Sequence, residues 1–370
     1  MPDQVSGPPT SRGPEEPSAA ATSLFGRFAG HEQVMLATDA GSGLRVMIGI
    51  HSTALGPALG GTRFHGYVDD GAALDDVLRL SRAMSYKNAL AGLPHGGGKA
   101  VIVGDPRRDK TPALLRAYGR VVDDLGGRYI TACDVGTYVE DMDVVAEATR
   151  FVTGRSAAAG GSGDSSVLTS LGVFTGMRAC AQHVWGAADL SGRLVAVSGV
   201  GKVGRRLVGH LRAAGADVVV YDVDAAAVRR VVDNDPAVLV AESEDALVRW
   251  PGVAIFSPNA MGGAIDDEVA AALTAPVVCG GANNQLAHPE VAQRLADRAI
   301  TYAPDYLVNA GGVIQVADEL HGFDLERATA RTLKIFDTTL DVLAMADAEG
   351  VVPAEAADRL AEARIAAGTP

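Results

Sequence analysis

The stretch Leu194–Leu211, "LVAVSGVGKVGRRLVGHL", decides the fold. A short apolar run enters Gly199-Val200-Gly201-Lys202-Val203-Gly204, and an amphipathic run leaves it. A bare G-x-G-x-x-G is weak. Here it sits between a strand pattern and a helix pattern, and a second strand, "DVVVYD", ends in Asp222, eighteen residues beyond Gly204. That is the arrangement of a dinucleotide-binding βαβ unit. Gly199 permits the tight turn, Gly201 lets a pyrophosphate approach the backbone, and Gly204 lets helix and strand pack closely. The helix N-terminus supplies free N–H groups and the positive end of its dipole. The Asp222 carboxylate would accept hydrogen bonds from the adenosine ribose and repel a 2′-phosphate. This favours NAD over NADP, with the neighbouring Lys202 pulling the other way.

Downstream, short valine-rich strands alternate with helical patterns ("AVLVA", "VAIFSPNA", "PVVCGGANN", "TYAPDYLVNAGG"). Such alternation means a parallel sheet covered on both faces. Upstream, "QVMLATD" and "LRVMIGIHS" read as strands around the turn "AGSG", and "KAVIVGD" as a buried strand. "RYITACDVG" reads as a strand ending in a loop. Apolar residues at threes and fours (Leu74, Val77, Leu78) mark a helix through Lys87. "TPALLRAYGRVVDDLGG" is a second helix, capped by Thr111, and "VEDMDVVAEATRFVTG" a third. "RSAAAGGSGDSS" suits a hinge or ligand loop. "RATARTLKIFDTTLDVLAMADAEG" and "PAEAADRLAEARIAA" are terminal helices.

The 370 residues suggest two domains, with 48% apolar content for their cores. The formal net charge of −13 argues against nucleic acid or an anionic membrane as partner. The three cysteines lack metal-ligand or pairing spacing, so no metal site and a reduced, cytoplasmic setting are expected. No apolar run is long enough to span a bilayer. Residues 1–23, rich in Pro, Ser, Gly and Ala, read as a disordered tail, not as a secretory signal.

Three ionisable residues stand out. Lys87 lies late in the first helix, Lys99 follows three glycines in "GLPHGGGKAVIVGDP", and Asp134 ends a strand. Each alone reads as a solvated lysine or a turn aspartate. Together, one lysine would pair with a substrate carboxylate, and the other, its pKa lowered, would act as acid or base beside the aspartate. The glycines before Lys99 are read as clearance for a ligand. Gly60 and Gly61, in "LGPALGGTRFHG", are either an ordinary loop or exposed N–H groups for a carboxylate. Asn283 and Asn284 follow a strand of the nucleotide half. Val313 and Val316 share a helix face, for which core packing is the default explanation.

These residues converge on a known family. The chain resembles the amino-acid dehydrogenases acting on glutamate, leucine, phenylalanine and valine, nearest their branched-chain members. The matching stretches include "HSTALGPALGGTRF", "MSYKNALAGL", "GGGKAVI", "ACDVGTYVEDMDVV", "GDSSVLTSLGVF", "ANNQLAHP" and "YAPDYLVNAGGVIQVADELHGF". One departure is Pro94-His95 before the glycines, which puts His95 near the expected chemistry.

The resemblance implies an α/β protein with an N-terminal α/β substrate domain, a Rossmann-type NAD domain and a cleft between them. The expected boundaries are 1–23 for the tail, 24–153, 154–350, and 351–370 for a helix returning to the first domain. It implies oxidative deamination of an L-amino acid with NAD to a 2-oxo acid and ammonium, and a homo-oligomer. Lys87 would bind the substrate carboxylate with Gly60, Gly61 and Asn284. Lys99 and Asp134 would be catalytic. Ser166, Thr169 and Asn283 would meet the nicotinamide end, while Leu59, Ala132, Val313 and Val316 would line the side-chain pocket. That lining suits small to medium branched apolar side chains, and the resemblance puts valine first among them. A leucine or broader aliphatic substrate, less readily phenylalanine, is the alternative, and a non-catalytic NAD- or amino-acid-binding regulator is a reading of another class.

Overall fold

The computed structural model describes residues 24–28 and 30–368; the proposed tail lies outside them. Two sheets carry the chain. The first is mixed, with strands β1 (Gln33–Asp39), β2 (Leu44–Ser52), β3 (Ala58–His65), β4 (Gly96–Val103) and β5 (Tyr129–Cys133) in the order β1-β2-β4-β3-β5. The second is wholly parallel. It comprises β6 (Leu194–Ser198), β7 (Asp217–Tyr221), β8 (Leu239–Val240), β9 (Val253–Pro258), β10 (Val277–Val278) and β11 (Thr301–Tyr302), ordered β11-β10-β9-β6-β7-β8. That is the doubly wound order, whose strand sequence reverses between β6 and β9 and opens a crevice at their C-terminal ends.

Glycines govern the first sheet, in a way the sequence reading misplaced. Gly96, Gly97 and Gly98 are strand residues of β4, so Lys99 is mid-strand and not at a strand edge. Their missing side chains serve packing, not a ligand. A Cβ on Gly97 would lie 2.0 Å from Ser85 N of helix Asp70–Leu90, and one on Gly98 2.6 Å from the Tyr129 ring. "ALGGTRFH", weighed as a loop, is β3, paired on both sides. The glycine pair and Pro57 resemble a turn, but glycine within a strand also marks close backbone approach. A Cβ on Gly60 would fall 1.8 Å from Gly98 O.

Two helices are shorter than expected. The third ends at Val145, because residues 149–153 run along the outer edge of β5, where Thr131 N donates to Phe151 O and Thr153 N to Thr131 O. This covers an otherwise open sheet edge. The penultimate helix breaks at Lys334 into Leu325–Leu333 and Ile335–Glu349.

Helix Pro353–Ala367 lies against helix Asp70–Leu90. Arg364 donates to the carbonyls of Ala89 and Leu90, and Tyr86 Oη to Glu362. Those carbonyls belong to the last turn, which a helix leaves short of donors; Ala89 O also accepts from Gly92 N at 3.1 Å.

Gly97→Ala and Gly209→Ala should therefore move stability in opposite directions. The first forces helix and sheet apart, at a cost of about 1–3 kcal/mol or more. The second, exposed in a helix and meeting nothing within 4 Å, should gain about 0.5–1 kcal/mol. Thermal melts of the two variants check both signs.

Candidate active site

Helix Asp70–Leu90 carries Lys87, β4 carries Lys99, and β5 runs into Asp134. All three face one cavity of about 210 Å³. Lys99 is 6% exposed, and its Nζ lies 2.6 Å from Asp134 Oδ2. Burial would raise the Asp134 carboxyl, but the ammonium of Lys99 and the guanidinium of Arg63 outweigh it and hold the group below its ordinary value. Arg63 Nε lies 3.6 Å from the same oxygen.

Lys87 is half-buried, its end enclosed while its surface faces the cavity. Desolvation, helped by the Lys99 charge and opposed by Asp305 and Asp134, lowers it from 10.5 to about 8. The lowered value expected of the acid–base lysine is found instead on Lys87, the lysine expected to pair with the substrate carboxylate. Its Nζ donates to Asn283 Oδ1 at 3.3 Å, and Asn309 Nδ2 donates to the same oxygen at 2.8 Å. Asp305, opposite, is buried, and desolvation pushes its carboxyl upward against Lys87 and nearby N–H groups. Burial drives both groups toward their neutral forms.

The remaining candidates distribute unevenly. Gly60, Gly61, Asn283 and Asn284 line the cavity, and the β3–β4 register is interrupted at the glycine pair. Leu59, Ala132, Val313 and Val316 form its aliphatic wall. Helix Gly311–Asp318 can present the two valines because Gly311 sits hard against Leu168 O, where a Cβ would come within 1.8 Å. Ser165 lines the cavity and Ser166 does not; the Ser166 hydroxyl accepts from Arg206 Nε at 3.1 Å. Thr169 is half-buried beside Gly312 and donates to Ser165 O. His95 is buried, its Nδ1 3.2 Å from Pro57 O, and it is not among the lining side chains. Arg63, Asp305 and Tyr306 were not singled out from sequence. An arginine two residues past a glycine pair, or an aspartate after a proline, gives no signal of its own.

A second cavity, of about 500 Å³, adjoins the Gly199 turn. Gly199 has φ +87°, a left-handed angle that only glycine adopts freely, and a Cβ on Gly204 would lie 1.9 Å from Gly199 O. A Cβ on Gly201 would meet no atom within 4 Å, so that glycine leaves room for something other than protein. Val200 and Lys202-Val203 frame the turn, Lys202 opening helix Lys202–Ala213. Asp222 Oδ2 accepts from Val200 N at 2.7 Å and Oδ1 from Asp224 N at 2.8 Å, which fixes the carboxylate toward the cavity. Glu244 lines the same space. Two carboxylates suit ribose hydroxyls and oppose an added phosphate, so these residues fit NAD.

Residues 28–151 match the model of the Glu/Leu/Phe/Val dehydrogenase dimerisation domain, and residues 225–322 that of the glutamate/leucine/phenylalanine/valine dehydrogenase domain. The chain is 61% identical to a valine dehydrogenase of Streptomyces albus over 91% of its own length and 93% of the relative's. The chain belongs to the Glu/Leu/Phe/Val dehydrogenase family. It is also 48% identical to a leucine dehydrogenase of Bacillus cereus, covering 91% of each. Among solved structures it is similar to an L-tryptophan dehydrogenase from Nostoc punctiforme, with a TM-score of 0.81 and 40% identity over 91% of this chain and 95% of that one. It is an NAD-dependent amino-acid dehydrogenase. The Gly199–Gly204 turn falls between the two matched segments and rests on its own geometry.

Binding of a carboxylate beside Lys87 would be pH-linked. Its ammonium is largely present below pH 8 in the empty site and is lost as pH rises through about 8. A bound carboxylate favours the charged form, so binding at pH 9 should take up a proton, and binding at pH 6 should not. Calorimetry of a short branched carboxylate in buffers of different ionisation enthalpy reads the uptake, and Lys87→Gln should abolish it.

Proposed function

We propose that this enzyme oxidatively deaminates a branched-chain L-amino acid, valine foremost, to its 2-oxo acid and ammonium, and runs the reverse amination. The observation that carries this reading is the Lys99–Asp134 pair, set opposite Lys87 in a cavity walled by Leu59, Ala132, Val313 and Val316. The printed activities of its valine and leucine dehydrogenase relatives support it.

In this reading Lys87, Gly60, Gly61 and Asn284 hold the substrate carboxylate, and the aliphatic wall takes the side chain. That wall offers no charge to a second carboxylate, which speaks against glutamate. Gly199, Val200, Gly201, Lys202, Val203, Gly204 and Asp222 hold the adenosine diphosphate end of NAD, and Thr169 and Asn283 stand toward the nicotinamide end. A nicotinamide held there would supply the hydride acceptor for the substrate α-carbon. Lys99, once deprotonated, takes a proton from the water that adds to the resulting imine carbon. Asp134 carries that proton from the lysine to the substrate nitrogen; the hydroxyl of the resulting carbinolamine gives its proton to Lys99 as the C–N bond breaks, so ammonia leaves and the oxo acid remains. A closed, dry cavity strengthens each of these charge contacts.

Residues 24–153 would form the substrate half and 154–350 the NAD half, with 351–370 returning to the first. The match of residues 28–151 to a dimerisation domain supports assembly with further copies of the chain. Free Cys133, Cys180 and Cys279 are compatible with residence in the reducing cytoplasm.

NADH absorbance during incubation with NAD⁺ and a panel of valine, leucine, isoleucine, 2-aminobutyrate and phenylalanine tests the reading. Valine is expected to give the highest kcat/KM. Leucine, one methylene larger, should follow within a factor of about 10–200. Lys99→Ala should lower kcat by orders of magnitude while NADH binding survives. No turnover on any branched-chain substrate would overturn the reading in favour of a binding protein.

A further inference from the structure

Asp134 has a second cation beside it that no step above employs. Arg63 reaches from β3 to within 3.6 Å of Oδ2, the oxygen that Lys99 approaches at 2.6 Å. Its own position is fixed from helix Asp70–Leu90. Arg63 Nη1 donates to Asp76 Oδ2 at 2.8 Å, the same oxygen accepts from Tyr67 Oη at 2.7 Å, and Asp76 Oδ1 accepts from Arg79 Nη2 at 2.7 Å. Charges therefore alternate from Lys99 through Asp134, Arg63 and Asp76 to Arg79. The other groups facing Asp134 are the Lys87 ammonium, the Cys133 thiol and the Val135 N–H, while its own N–H donates to Thr137 Oγ1.

We propose that Arg63, anchored by Asp76, is a positioning residue that keeps the Asp134 carboxylate ionised and aimed into the cavity while Lys99 exchanges its proton. The inference rests on the function proposed above. In that reaction Lys99 is charged at one stage and neutral at another. When it becomes neutral, Asp134 loses its nearest counter-charge, and a buried carboxylate so deprived takes up a proton itself. The guanidinium does not titrate in the working range. It supplies a constant positive charge, so a proton that Asp134 receives from Lys99 passes on to the substrate nitrogen instead of staying on the carboxylate. Asp134, Asp76 and Tyr67 together outweigh the effect of burial on Arg63 and keep it protonated.

Arg63→Gln removes this charge. Because the pair titrates as a unit, its proton becomes harder to release. The acid limb of kcat/KM against pH for amino-acid oxidation should rise by about one pH unit. kcat at neutral pH should fall about tenfold or more, with KM for NAD⁺ unchanged. Arg63→Lys should restore part of the shift. A folded Arg63→Gln enzyme whose acid limb stays in place overturns the proposal. Should that variant fail to fold, Asp76→Asn reads the same coupling. Arg63 then loses its anchor and the limb should rise by a smaller amount, whereas an unchanged limb and kcat overturn it. An unsubstituted enzyme with no turnover would speak against the function itself, while an active one with an unmoved Arg63→Gln limb speaks against Arg63 alone.

Discussion

The close seat of helix Asp70–Leu90 on its sheet is the constraint on which the site depends. Gly97 lies against Ser85, and a Cβ on Gly49 would come within 2.9 Å of Ser81 Oγ. Side chains alternate along a strand, so Lys99, two residues past Gly97, points to the same face. Gly49 is also its cross-strand partner. On the helix, Lys87 follows Ala83 and Met84 by four and three residues and shares their face, which lines the cavity. The contact that brings backbone to backbone thus also holds that face of the helix close to Lys99. Any side chain at Gly97 would widen the layer and separate them.

Crowding two ammonium groups and two carboxylates into one cavity is unfavourable until something binds. Lys87 answers by a depressed pKa and Asp305 by a raised one, while Lys99 and Asp134 answer by pairing. The difference follows from distance. Lys99 and Asp134 are in contact, and Lys87 and Asp305 are not among the ion pairs found.

The second sheet was legible in the sequence because its signals are local: a strand, a glycine turn, a helix and an acidic residue at fixed spacing. Lys87, Lys99 and Asp134 were legible as candidates, and the structure brings them to one cavity. What the sequence hid was long-range. Gly60-Gly61 and Gly96–Gly98 look like turns until the backbones they admit are known. Arg63 and Asp305 acquire meaning from partners on other elements. Ser165 and Ser166 are neighbours, yet only Ser165 lines the cavity, while the Ser166 hydroxyl accepts from Arg206. The helix through Thr149 stopped early because a sheet edge competes for its backbone, which helical periodicity does not report.

The hydrogen bonds from Arg364 to Ala89 and Leu90 join residues 275 and 274 positions apart. Closing so long a span costs chain entropy that local contacts do not, and structures rich in such contacts fold slowly. The end of the helix that bears Lys87 is therefore held by an element from the far end of the chain, a contact that neither sheet supplies alone.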